Sequence, residues 1–366
     1  MRITEIVLLD RLLLIGAPGI GKTERIRQLA EEEAKKMKRI FVDVRELTDE
    51  QRDDIVSSPH KYYLYMRIVA THMFPEDIQF PVKMERTGFP FIRFYAPEDI
   101  ALFTLPDIAG VIFLDEITNV TREDQLAMYY SFVLEKELGW NIRISKKVKI
   151  ISAGNPPEYS YIVNPPPHAF LSRFWKIEVS PPSIEEWYEY MEKYYAEKWD
   201  KRTYLYLKIF PHDFLGTPEQ LKSFENFPCP RSWTEVAVHL KELDEQVAKL
   251  EVIYEYIQGK LGKEVGSKFA SFIKKGIRKP EEVISNPSIL GSIADPEVKY
   301  LTLWALSQKP ELLLNKGKPL MRYLKMNERD LLVLLVLLME KKERKKIIAQ
   351  NTDIFVDIIR EIARYV

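Results

Sequence analysis

The chain has 366 residues, enough for two or three domains with real cores, and its 46% apolar and 30% charged residues belong to a folded chain rather than a disordered one. Lys plus Arg and Asp plus Glu both number 54, so no overall field draws in nucleic acid or an anionic lipid surface. The one cysteine, Cys229, excludes an internal disulfide and a CxxC metal site, and it points to a reducing, cytoplasmic setting.

Asp10 and Arg11 interrupt the apolar residues near the start, so no signal peptide is expected. The run Leu12-Leu13-Leu14-Ile15 then reads as a buried strand. It feeds Gly16-Ala17-Pro18-Gly19-Ile20-Gly21-Lys22-Thr23, which fits G-x-x-x-x-G-K-[ST], and residues 24–38 follow with helical spacing and no breaker. Strand, glycine loop and helix together make a phosphate-binding loop. Gly16, Gly19 and Gly21 let the backbone turn tightly enough to aim several N–H groups at one anion, at the positive end of the helix dipole. Lys22 is a long point charge for the β- and γ-phosphates, and Thr23 offers a hydroxyl to Mg²⁺.

A second strand is expected over 40–44. Residues 45–110 are less regular; Phe89 to Phe94 alternates enough to suggest a hairpin arm. Strands are expected over 111–114, 148–151 and 176–179, with an amphipathic helix over 122–138 between the first two. Repeated β-α units imply a parallel sheet covered on both faces, with ligands held beyond the carboxyl ends of the strands. After Pro181-Pro182 the pattern turns helical. Ser183 and Glu186 form a capping box for a helix over 183–199, and 232–258 reads as one long helix stopped by Gly259. The apolar stretch 331–339 is far shorter than the ~20 residues of a membrane span and reads as a buried helix. The expected organisation is an α/β nucleotide-binding domain over 1–180, a helical lid over 181–256 and a helical region over 257–366.

Three further groups of residues carry chemistry. Leu114-Asp115-Glu116 ends the third of these strands in adjacent carboxylates, which after a phosphate loop reads as a Walker B element. Asp115 would hold Mg²⁺, directly or through water, and Glu116 would take the proton of the attacking water. Asn155, in Ser152-Ala153-Gly154-Asn155-Pro156-Pro157, is either an amide that orients that water or a turn residue before proline. Arg173 just before the last strand and Arg231 at the start of a lid helix are each either solvated or aimed at transition-state charge.

These segments, together with Phe170-Leu171-Ser172-Arg173-Phe174 and Pro230-Arg231-Ser232-Trp233, occur in the order of the MoxR-like AAA+ ATPases, which the chain resembles over most of its length. The branch with Ala-Gly-Asn-Pro-Pro-Glu and Pro-Arg-Ser-Trp is the most similar. The resemblance implies that Asn155 is sensor 1, Arg173 an arginine finger offered to a neighbouring subunit, and Arg231 sensor 2. It also implies Mg²⁺-dependent ATP hydrolysis in a ring, usually a hexamer, and a remodelling chaperone that works with von Willebrand factor A domain proteins. The chain departs from the family at Thr118-Asn119, where Asn-Arg is common, and in the segment 45–110, which matches loosely and is expected to hold an insert that contacts the partner.

Two other functions compete with this one. A nucleic-acid motor would need a basic hairpin, for which Arg143, Lys146, Lys147 and Lys149 are the candidates. A nucleotide-gated scaffold would bind ATP and barely turn it over, but it has no need of Glu116. The five histidines lack metal-ligand spacing, the tyrosines of 62–65 read as core or subunit contact, and Arg344-Lys345-Lys346 reads as a solvated helix face.

Overall fold

The computed structural model describes residues 1–159, 168–217, 220, 226–245, 250–275, 278, 280–307, 309–339 and 341–358. They fall into two compact units: Met1–Val252 with Gly259–Lys263, and Ile253–Gln258 with Glu264–Val366.

The first unit is built on six parallel strands: β1 (Leu12–Ile15), β2 (Ile40–Asp43), β3 (Tyr62–Val69), β6 (Ala109–Asp115), β7 (Val148–Gly154) and β8 (Trp175–Glu178), in the spatial order β8-β1-β7-β6-β3-β2. Strands β4 (Phe80–Arg86) and β5 (Phe89–Tyr95) form a separate antiparallel hairpin, turned at Thr87 and Gly88, so the expected arm is present. Every residue of β1 and β6 is buried because both faces of the sheet are covered. On one face Leu12, Leu14, Val111 and Phe113 pack under helix α1 (Lys22–Lys36) through Ile26, Leu29 and Ala30. On the other, Leu13, Ile112, Leu114 and Ile150 meet Tyr129, Phe132 and Val133 of helix α2 (Glu123–Glu135). Period-two strands sandwiched between helices of period 3.6 are the fold class the sequence implied.

One strand was not legible. Tyr62–Val69 is β3, and it lies between β2 and β6, with Tyr63 and Tyr65 each 1% exposed. The aromatic cluster is therefore core. Two expected helices also stop early. The segment expected as helix over 122–138 leaves the helix at Lys136, whose backbone is left-handed (φ 58°) and whose ammonium donates to the carbonyls of Lys146 and Val148; Glu137–Leu138 then pairs with Ile142–Arg143. The segment 183–199 is helical over Ile184–Tyr194 (α3), capped by the Ser183–Glu186 box as expected, and ends in a single tighter turn at Ala196–Lys198.

Two more helices follow α3: α4 (Arg202–Ile209) and α5 (Pro230–Glu245). Aromatic packing binds them. Trp187 meets Trp199 edge-on at 5.7 Å and donates its indole N–H to Thr234 at 2.9 Å, while Trp233 is fully buried beside Tyr206. The long helix expected over 232–258 is seen as Pro230–Glu245 and Leu250–Leu261; residues 246–249 lie outside the described residues. Its stop is Gly262, not Gly259: Gly262 takes φ 80°, a left-handed backbone that glycine adopts without steric cost, whereas Gly259 sits inside the helix.

The second unit is helical. Leu290, Leu303, Leu313, Leu320 and Leu335 share one buried core. The apolar stretch 331–339 lies in the helix Arg329–Leu337, with Leu332, Leu335 and Val336 buried as expected. Arg344 is not simply solvated, because its guanidinium donates to the carbonyls of Val336, Leu337 and Met339. The guanidinium thus caps the C-terminal end of that helix, where carbonyls run short of backbone donors. Among the described residues no helix is long and apolar enough to cross a membrane.

Candidate nucleotide site

The carboxyl ends of β1, β7 and β6 lie side by side, because Ile15 pairs with Gly154 and Leu114 with Ser152. Three segments far apart in sequence therefore leave the sheet at one edge: the glycine loop, Asp115-Glu116 and Asn155. They line a cavity of about 450 Å³ together with Arg67, Pro230 and Arg231. Ile3, Thr4, Pro182, Trp187 and Tyr190 also line it.

The loop has the conformation its glycines predict. Gly19 and Gly21 take φ 74° and 93°, and a Cβ on Gly16 would stand 2.6 Å from the Val179 carbonyl oxygen. Ala17, Pro18 and Ile20 hold the turn between them, with Ile20 buried under α1. Lys22 opens α1 and is 8% exposed. Its ammonium donates to the carbonyls of Gly16 (2.7 Å) and Ala17 (2.9 Å) and to Oδ1 of Asn155 (2.9 Å). Burial pulls its pKa down to about 8, Asp115 opposes that shift, and the Arg231 charge adds to it. A buried cation wrapped by a tight glycine turn at a helix N-terminus is a site for anionic oxygen.

Thr23 Oγ1 donates to Oδ2 of Asp115 at 2.9 Å, so the two residues expected at the metal are already in contact. Glu116 follows in a left-handed backbone (φ 57°), and Asn119 donates to its Oε2 at 3.4 Å. Thr118, the other departure from the family pattern, accepts the backbone N–H of Asn155 at 3.1 Å. Sequence reading assigned Thr118 no contact, and it missed Arg67 altogether. Arg67 lies on β3, opposite Phe113, and its Nε and Nη2 reach Oδ2 of Asp115 at 2.9 and 2.8 Å. An arginine on a strand hidden in an aromatic cluster gives no motif to find.

Arg231 is brought to the site by the first turn of α5. Its backbone N–H donates to the Gly19 carbonyl at 3.0 Å, and Cys229 packs where a Gly19 Cβ would stand. Arg173 is not among the described residues that line the cavity; its guanidinium lies 5.0 Å over the ring of Tyr130 on α2.

These residues fit a nucleoside triphosphate with its divalent cation. A cradle that a Cβ would fill, a buried ammonium, and a hydroxyl beside a carboxylate are the donor set such a ligand needs. The fold is of the P-loop class: a parallel sheet flanked by helices, followed by further helices and a helical C-terminal region.

No family model matches the chain, and no curated protein matches it. Among solved structures it is similar to NtrX from Brucella abortus in complex with ADP, with 13% identity over 96% of this chain and a TM-score of 0.34; it spans 65% of that chain's length. It is similar to Cdc6p from Pyrobaculum aerophilum (13% identity, 90% of this chain and 87% of that one, TM-score 0.39). The ORC2 protein from Aeropyrum pernix, in ADPNP–ADP complexes, is alike at 14% identity over 97% and 90% of the two chains, with a TM-score of 0.34. Likeness this low carries no argument by itself, so the class rests on the loop, the strand order and the carboxylates.

Proposed function

We propose that the chain is an ATP-hydrolysing AAA+ ATPase of the MoxR-like type, which works as a ring, a hexamer in the usual case, and remodels or activates a protein client in the cytoplasm with a von Willebrand factor A domain partner. The observation that carries the hydrolytic part is the convergence of Lys22, Thr23, Asp115, Glu116, Asn155 and Arg231 on one cavity.

In this reading the loop N–H groups and Lys22 bind the β- and γ-phosphates. Thr23 and Asp115 hold Mg²⁺, which when bound neutralises charge on the phosphate oxygens. Glu116 takes the proton of the attacking water, and Asn155 orients that water from the other side of the loop. Arg231 approaches from the lid. Arg173, which packs over Tyr130, is assigned in this reading to a neighbour's site.

The nucleic-acid motor finds less support. Of its four basic candidates, Arg143 pairs with Glu137, Lys147 with Asp107 and Lys149 with Glu33. Paired cations release few counterions from a phosphate backbone, and counterion release is what drives that kind of binding.

Phosphate release from Mg²⁺-ATP tests the reading, with Lys22→Ala as the control. Loss of two charge-assisted hydrogen bonds of ~1.5 kcal/mol each should weaken nucleotide binding roughly 100-fold. Absence of turnover in the wild type, or full binding by Lys22→Ala, would sink the assignment. Co-purification with a von Willebrand factor A domain protein tests the partner, and its consistent absence from the isolated ring removes that part.

A further inference from the structure

Oδ2 of Asp115 accepts two hydrogen bonds, from Thr23 Oγ1 at 2.9 Å and from Arg67 Nε at 2.9 Å, and Arg67 Nη2 stands 2.8 Å from it as an ion pair. Its other oxygen takes the backbone N–H of Glu116 at 3.0 Å. A carboxylate oxygen offers about two lone pairs, so Oδ2 is fully engaged. A cation arriving there must displace a donor. Thr23 is not the one to leave, since its hydroxyl is itself a ligand of the kind the cation uses. The guanidinium is, because a second positive charge beside a divalent cation is repelled. It also has room to leave: the Arg67 side chain is 33% exposed and lines the same cavity, while that of Asp115 is 9% exposed.

We propose that Arg67 is a displaceable counter-ion that competes with the divalent cation for Asp115. Metal entry is then the event that frees the guanidinium into the cavity. The pair keeps the carboxylate compensated while no metal is bound, and it sets a threshold of Mg²⁺ below which Asp115 stays latched. Arg67 is thus a positioning residue for Asp115 and not a group that touches the reacting atoms. The inference rests on the nucleotide-site reading above.

The test titrates Mg²⁺, starting from EDTA, into the full chain with a fixed concentration of N-methylanthraniloyl-ATP, and reads binding by fluorescence. In Arg67→Met the half-saturating Mg²⁺ should fall about five-fold or more, the low end of usual coupling between linked ligands. Binding in EDTA should weaken, because Asp115 is left uncompensated near the phosphates. Opposite signs for these two effects separate competition from a structural role, which would weaken both. Arg67→Lys keeps the charge but loses the two-pronged contact, so its half-saturating Mg²⁺ should fall between the other two. It carries the test alone if Arg67→Met does not fold. A Mg²⁺ requirement that is unchanged or raised in the folded variants, with normal wild-type binding, overturns the competition alone. Failure of the wild type to bind the analogue at any Mg²⁺ concentration overturns the nucleotide reading and the competition with it.

Discussion

Lys22 donates to Oδ1 of Asn155 at 2.9 Å, across a sequence separation of 133 residues. The contact joins the phosphate loop after β1 to the end of β7, and it exists because those two strands are neighbours in register. Under the proposed function, an ammonium that turns toward phosphate would give up this amide and release Asn155 in the same movement. The residue expected to sense the γ-phosphate is thereby wired to the residue expected to bind it.

Glu116→Gln should bind ATP with wild-type affinity and turn it over about 10²–10⁴-fold more slowly, the usual contribution of a general base. The amide keeps the hydrogen bond with Asn119 but cannot accept a proton. Asp115→Ala should behave differently, raising the Mg²⁺ needed for tight binding. Phosphate release and Mg²⁺ titration measured on both variants check the division. Near-normal turnover by Glu116→Gln would move the base elsewhere.

Thr118→Val removes the acceptor of the Asn155 N–H while keeping the shape of the side chain. An unmet N–H costs about 1–3 kcal/mol, so turnover should drop roughly ten-fold or more as Asn155 loses its place. Thr118→Ser should restore it. Steady-state kinetics decide the matter: rates for the valine and serine variants that equal the wild type would leave Thr118 with no part in holding Asn155.

Arg231→Ala should lower turnover and uncouple the lid from nucleotide state, since the guanidinium lies on the first turn of α5 against the loop. Amide hydrogen exchange of residues 230–245, with and without an ATP analogue, reads this directly. In the wild type the analogue should slow exchange; in the variant the difference should shrink. An identical response in the two would return Arg231 to a surface role.

Arg173→Ala should leave nucleotide affinity intact while turnover falls, because a finger acts on charge that develops in the transition state. Such residues contribute about 10³–10⁵-fold elsewhere, and the low end or less is expected here. Mixing Arg173→Ala with Lys22→Ala should restore part of the activity, as intact loops meet intact fingers across subunits. Sizing of the mixture verifies exchange. Wild-type activity in Arg173→Ala alone, with exchange shown and no gain on mixing, would end the trans reading.

The sheet was largely readable because buried parallel strands are short apolar runs, and Leu12–Ile15 or Ala109–Asp115 has few other ways to fold. The glycine loop was readable for a different reason: its conformation is set by residues that alone tolerate it, as Gly19 and Gly21 do. Strand Tyr62–Val69 escaped because tyrosines serve strand, core and interface alike, and with it went Arg67. Contacts such as Thr118 to Asn155 join residues 37 apart in the chain, and periodicity carries no information about them. The stop at Gly262 in place of Gly259 shows the same limit locally, since both are glycines and only the backbone around them tells which one turns.

The hydrogen bond from the Arg231 N–H to the Gly19 carbonyl, with Cys229 seated against the same glycine, fastens the lid to the loop by its backbone. Side-chain substitutions leave that fastening in place. Any departure of α5 therefore pulls on Gly19 itself, whose left-handed backbone shapes the phosphate cradle. Under the proposed function, nucleotide exchange and loop distortion would be a single mechanical event: a pull on that helix would reach the phosphate cradle through one backbone hydrogen bond.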